Sequence, residues 1–139
     1  MQVSVAWQGE ARFLGRTDSG HAVVMDGPPD AGGRNQGARP MEMVLLGLGG
    51  CSAFDVVHIL RRSRRTVAAC HVEIEAERAG ADPKVFTAIH MHFVISGDGL
   101  GEDRVARAVE LSAEKYCSVA RMLASTAAIT HDWELRPEA

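Results

Sequence analysis

The chain has 139 residues, 46% hydrophobic and 24% charged, with a formal net charge of −3, which suits one globular domain able to bury a core without disulfide staples. That charge gives no global attraction to nucleic acid or to an anionic membrane, and three widely spaced cysteines do not make a secreted disulfide framework. No basic and then apolar leader opens the N-terminus, Met1-Gln-Val-Ser-Val-Ala-Trp7, and the longest apolar stretch, Met43 to Leu48, is too short to span a bilayer. A cytoplasmic, reducing location is expected, where a pair of thiols points to chemistry more than to structure.

Residues 2–8 alternate, with Val3, Val5 and Trp7 on one face and Gln2, Ser4 and Gln8 on the other, which predicts a half-buried strand. A second short strand is expected over Arg12 to Leu14, a turn over Gly15-Arg16-Thr17-Asp18-Ser19-Gly20, and a third strand over His21 to Met25. Residues 26–40 are rich in turn formers and read as a mobile loop. From Met41 to about Arg62 the pattern is helical: Pro40 suits the first helical position, and Glu42 sits in the first turn, where the macrodipole favours it. Nearly every side chain from Met43 to Ile59 is apolar or small, so this helix should be buried on most of its circumference. Gly47, Gly49 and Gly50 each cost about 1 kcal/mol of helix propensity relative to Ala, and close approach of neighbouring backbone is the expected return.

Val72, Ile74 and Ala76 alternate with His71, Glu73, Glu75 and Glu77, which gives a strand with one wet face. Residues 79–83 form a hairpin loop, and Val85, Ile89, Met91, Phe93 and Ile95 mark the return strand. A helix is predicted from Glu102 to about Tyr116, with Val105, Val109, Ser112 and Tyr116 down one side. A shorter helix starts near Cys117 or Ser118, and Ile129, His131, Trp133 and Leu135 form a closing strand. The order β-β-β-α-β-β-α-α-β is α+β, in a single domain over residues 1–139.

Cys51 lies in the middle of the long helix. A buried cysteine is more often a small hydrophobe than a nucleophile, but two neighbours argue otherwise. Asp55 follows one turn on, a poor guest in an apolar helix unless partnered, and Gly49 and Gly50 leave the surface beside the sulfur bare. Because a helix dipole acts mainly at its ends, holding a Cys51 thiolate requires a nearby cation. Cys117 stands at a helix start, where free backbone N–H groups favour a thiolate and Lys115 is close in sequence, with core packing as the alternative. Cys70 reads as core. His90 and His92 share a strand face, as metal ligands would, but no third ligand is near in sequence and a solvated face is expected. The loop Gly32 to Gly37 lacks the Gly-Lys-Ser/Thr of a phosphate cradle.

The segment Arg39-Pro-Met-Glu-Met-Val-Leu-Leu-Gly-Leu-Gly-Gly-Cys51-Ser-Ala-Phe-Asp-Val-Val resembles the Pro-x-Glu…Gly-Gly-Cys central-helix motif of OsmC/Ohr superfamily proteins. Glu114-Lys-Tyr-Cys117-Ser-Val resembles their second motif, and Phe13-Leu14-Gly15 with Ser19-Gly20-His21 is similar to the N-terminal hairpin of the YhfA-like branch. The resemblance implies an intertwined homodimer whose two sheets wrap around paired central helices, with active sites at the interface. It also implies a thiol-dependent hydroperoxide reductase acting in oxidative or osmotic stress defence and preferring organic hydroperoxides. Cys51 would be peroxidatic and Cys117 resolving. A dithiol reductant, a lipoylated protein or a thioredoxin-type donor, would close the cycle, with no bound metal or other cofactor.

In that family an arginine and a glutamate hold the reactive thiolate. The family glutamate directly follows the proline, a place taken here by Met41. Glu42 comes one residue later, a helical rotation of about 100°. Arg16 is the best candidate for the arginine, with Arg12 behind it. The alternative function is a non-catalytic dimer that binds a small apolar ligand or a partner in the interface cleft, where Met41, Met43 and Phe54 would line a pocket.

Overall fold

Alternating side chains near the N-terminus build three strands, β1 (Val3–Trp7), β2 (Phe13–Thr17) and β3 (Ala22–Met25), in an antiparallel sheet of order β1-β2-β3. The computed structural model describes residues 1–137. β2 runs on through Gly15 and Arg16, which the sequence places in a turn, because both pair on two sides. Gly15 faces Val5 and Val23, and Arg16 faces Ser4 and Ala22. Chain reversal is left to Asp18–Gly20, where Gly20 takes a φ of 94°, a conformation that costs glycine least. The half-buried face expected of β1 is uncovered, with Val3, Val5 and Trp7 at 68%, 58% and 66% exposure. Alternation decides which side chains share a face, and nothing in it supplies a cover.

The loop that follows is less free than its composition suggests. Asp26 is 2% exposed, and its carboxylate accepts the backbone N–H groups of Gly27, Arg34 and Gln36 at 2.7, 3.2 and 3.1 Å. Burial alone would push this carboxyl up. The three N–H groups, with the charge of Arg12, outweigh it and hold the pKa below the usual aspartate value.

Helix α1 (Pro40–Arg62) opens on its proline, and the Oε1 of Glu42 accepts the Arg39 N–H at 2.8 Å, the return half of a capping box. Further along, Leu48, Ser52, Val56 and Leu60, four residues apart, are buried. The opposite side is open, with Leu46 62% and Phe54 70% exposed, so the helix is not enclosed around most of its girth within one chain. Only Gly49 of the three helical glycines meets a neighbour: a Cβ there would lie 3.1 Å from the Cδ1 of Ile74, while Gly47 and Gly50 face open space. By length and a hydropathy of 1.8, α1 could cross a membrane, yet its buried stripe makes it a core helix.

Contacts divide the chain within α1, into residues 1–46 and residues from Gly47 onward. The second unit holds β4 (Ala69–Arg78), β5 (Phe86–Ser96) and β6 (Ala128–Arg136) in the order β4-β5-β6, antiparallel between β4 and β5 and parallel between β5 and β6. A parallel pair needs a long crossover, here supplied by α2 (Glu102–Leu111), one wide π-type turn (Ser112–Tyr116) and α3 (Ser118–Leu123). Ile89, Met91, Phe93 and Ile95 of β5, with Val105, Ala108 and Val109 of α2, are 1% exposed or less. Each large apolar side chain so buried contributes about 1.5–3 kcal/mol.

Candidate functional site

The buried stripe of α1 carries one polar side chain, Ser52, fully buried between Leu48 and Val56. Cys51 and Asp55 flank that stripe, both half-buried. Opposite them, the end of α2 decides where Cys117 points. An unbroken α-helix would continue the stripe Val105, Val109, Ser112 to Tyr116. Instead the Cys117 N–H bonds to the Ser112 carbonyl at 2.9 Å, five residues back, which widens the turn by one residue. Tyr116 is therefore 51% exposed, and Cys117, at 2%, takes the buried place.

The two motif cysteines meet. The Sγ atoms of Cys51 and Cys117 and a carboxylate oxygen of Asp55 all lie within 4.8 Å of one another, and both thiols are free. A disulfide needs a sulfur separation of about 2.05 Å, so bond formation asks for less than about 3 Å of travel. Two sulfurs and a carboxylate at this spacing are also the donors a soft cation would use. The Ser52 hydroxyl donates to the Cys117 Sγ at 3.1 Å, and the Ala120 N–H, three residues into α3, donates to the same sulfur at 3.4 Å. Ser112 donates its hydroxyl to the Ser52 carbonyl at 2.9 Å, tying α1 to the start of the wide turn.

Electrostatically the cluster favours neutral groups. Burial pushes the Cys117 thiol up. Ser52 and the Ala120 N–H offset part of that, and the nearby Cys51 adds to it. The sequence expectation of a thiolate favoured at this helix start is thus reversed: the N–H donor is present, but desolvation is larger. Lys115 gives no help, because it is exposed and its Nζ sits 5.2 Å from the centre of the Tyr116 ring. Burial likewise pushes the Asp55 carboxyl up, against smaller lowering effects of Ser112 and His58. The Asp55 Oδ2 is buried with no hydrogen-bond partner among the described residues.

Of the other predicted site residues, Arg16 is exposed on β2, and Arg12 donates to the side chains of Gln8 and Gln36 at 2.8 and 2.7 Å. Glu42 caps its own helix, as described. Cys70 is half-buried on the Val72 and Ile74 side of β4, its thiol pushed up by burial. Phe54 lines an open groove with Gly50, Val57 and His58, and its ring stacks on His58 at 5.9 Å. A second groove beside Asp55 is lined by Arg62, Arg107 and Tyr116. Sequence reasoning missed Ser52 and Ser112. Their signal was a hydroxyl sitting in phase with an apolar stripe, which requires a buried partner.

Residues 33–132 match the family described as OsmC-like protein. The chain is 48% identical to Protein YhfA of Escherichia coli strain K12 over 135 residues, covering 97% of this chain and 98% of that one. A crystal structure of a hypothetical protein from Aquifex aeolicus superposes with a TM-score of 0.86 at 32% identity, over 99% of this chain and 97% of the other. An organic hydroperoxide resistance protein OsmC from Legionella pneumophila shares the fold at a TM-score of 0.72 and 15% identity, over 96% and 97% of the two chains.

Proposed function

Starting from the fact that this chain belongs to the OsmC-like protein family, we propose that it is a thiol-dependent reductase of organic hydroperoxides, working as a homodimer in a reducing cytoplasm. The observation that carries this reading is the meeting of Cys51 and Cys117, 66 positions apart in sequence, with sulfurs inside 4.8 Å. The Cys51 thiolate attacks the terminal oxygen of ROOH. The O–O bond breaks, sulfur is oxidised to a sulfenic acid, and the leaving alkoxide takes a proton to give ROH. Cys117, as thiolate, then attacks the Cys51 sulfur and expels hydroxide, which leaves as water. A dithiol reductant restores both thiols as it becomes a disulfide.

Asp55 suits the first proton transfer. Burial favours its neutral form, and it lies within 4.8 Å of both sulfurs, so it can protonate the alkoxide or donate to the thiolate. Arg16 and Glu42 enter this reading through the family resemblance alone, as the pair that would hold the thiolate.

A homodimer answers the open face of α1. Leu46 and Phe54 are 62% and 70% exposed, and Gly47 and Gly50 leave room for a close neighbour. Sedimentation of the purified protein should give twice the chain mass, and Phe54→Glu should give monomer.

The deciding experiment follows cumene hydroperoxide and hydrogen peroxide with reduced protein and dihydrolipoamide. Turnover of the organic peroxide should vanish in Cys51→Ser, and Cys117→Ser should complete one oxidation but not cycle with the dithiol. The apolar groove at Phe54 favours a second reading, a non-catalytic dimer that holds a small apolar ligand. Wild type no faster than Cys51→Ser/Cys117→Ser would rule out the peroxidase and leave that second reading standing.

A further inference from the structure

The cluster of Cys51, Asp55 and Cys117 has the makings of a ligand set as well as of a redox pair. Cys51 and Asp55 stand one turn apart on α1, so both project from the same side of the helix. Cys117 reaches them from the N-cap of α3. One donor atom from each residue, two sulfurs and an oxygen, lies within 4.8 Å of the other two. Neither sulfur is held in a disulfide, and the buried Asp55 Oδ2 has no hydrogen-bond partner among the described residues. A carboxylate so placed needs a donor or a counter-charge, and a cation supplies the second.

We propose that the reduced cluster binds one dication of the zinc class through Cys51, Cys117 and Asp55, and that this ion and a peroxide compete for the same sulfurs. Only the competition rests on the thiol-reductase reading; the metal site stands without it. Binding exchanges protons for the ion. Each thiol releases its proton to solvent as its bond to the metal forms, Asp55 does so where it is neutral, and no atom changes oxidation state.

Zinc–sulfur bonds of about 2.3 Å and zinc–oxygen bonds of about 2.1 Å set the sulfurs about 3.8 Å apart, and each sulfur about 3.6 Å from the oxygen, around a tetrahedral centre. Donors already within 4.8 Å of one another need to close by no more than about 1.2 Å to reach that spacing. Three protein ligands leave a fourth position to water. The Ser52 hydroxyl and the Ala120 N–H, which donate to the Cys117 Sγ at 3.1 and 3.4 Å, can keep those bonds to a metal-bound thiolate, and outer hydrogen bonds of this kind orient a ligand. Two thiolates, a carboxylate and a dication leave one negative charge. Arg62 and Arg107 line the groove beside Asp55, where they offset it. Two soft sulfurs favour zinc over magnesium or calcium.

Zinc titrated calorimetrically into the full-length protein, reduced and freed of reductant without air, tests the site. One equivalent per chain should bind, and magnesium should not. Binding should be lost in Cys51→Ser/Cys117→Ser and unmoved by Cys70→Ser. Asp55→Asn should weaken it about 10-fold or more, since losing a ligand costs at least what losing an outer partner does. Cobalt(II) gives a second readout on wild type alone, a thiolate-to-cobalt charge-transfer absorption that zinc abolishes, so the site stays testable if the cysteine variant fails to fold. One equivalent of zinc should also stop the single oxidation of the thiols by cumene hydroperoxide, followed without dithiol because dithiols chelate zinc, and a chelator should restore it. Zinc binding that keeps its affinity in the double cysteine variant or in Asp55→Asn, or a wild type without the cobalt absorption, would mean that the site does not exist. Bound zinc that leaves the oxidation unchanged would end the competition. A wild type that binds zinc but is not oxidised by peroxide loses the reductase reading and keeps the metal site, and the opposite result does the reverse.

Discussion

Strand β5 separates two polar clusters that respond to burial in opposite ways. On its Met91 side, burial pushes both the Asp55 carboxyl and the Cys117 thiol toward neutral forms, in Cys117 despite the hydrogen bonds that Ser52 and the Ala120 N–H donate to its sulfur. On its His92 side, water is near and partners prevail. Glu134 and Asp132 raise the His92 pKa, while His92 lowers that of Asp132, and Arg136 followed by His92 lowers that of Glu134. Similar hydrogen-bond geometry thus stores a neutral Cys117 thiol and a neutral acid indoors and ions outdoors. Only the indoor cluster couples strongly to the fold, since a buried group left without a partner costs far more than an exposed one.

The largest effect should come from the shared wall. Met91→Ala removes a fully buried side chain that also receives the Ser52 hydroxyl at 3.7 Å. Urea unfolding should show a loss of about 2–5 kcal/mol. Ser112→Ala should cost about 1 kcal/mol by the same measurement, because the Ser52 carbonyl loses its donor. It should also slow formation of the Cys51–Cys117 disulfide as α1 and the wide turn come apart.

Asp55→Asn sharpens the contrast by changing sign. A carboxyl raised above its unfolded value of 3.8 stabilises the fold when protonated, and that contribution is lost as pH rises through the folded pKa. Wild-type melting temperature should therefore fall with rising pH above 4 more steeply than that of the variant, and peroxide turnover should drop in the variant. Equal slopes would mean that Asp55 is solvated. Smallest of all, His90→Ala should stay within about 0.5 kcal/mol of wild type by urea unfolding. A His90→Ala loss as large as that of Met91→Ala would dissolve the distinction between the two faces.

Much of this organisation is written locally. The apolar spacing of α1, the alternation of β4 and β5, and the caps at Pro40 and Cys117 are short-range signals, and every element appears where its period places it, within a few residues. Cys51 and Cys117 stand out in the sequence, one beside glycines and an aspartate, the other at a helix start, but setting alone left core packing open, and their pairing as a site comes from the family resemblance. What escaped depends on distant pairing. His90 and His92 have no visible partner in sequence until the parallel register of β6 delivers Asp132. The apolar faces of β1 and α1 look like core from their pattern, yet a pattern cannot tell a face covered by the same chain from one left open. Arg16 falls in a strand rather than a turn because it has partners on both edges.

The wide turn at Ser112–Tyr116 has a genealogical side. One extra residue in a helix is an insertion, and five residues from Ser112 to Cys117 stand where an ordinary turn would use four. Among relatives that lack that residue, the helix would close normally with the cysteine itself four residues after the serine, still in the buried place. A single-residue gap in this segment of an alignment would then mark the lineages that point their second thiol at the first through an ordinary helical turn instead of a wide one.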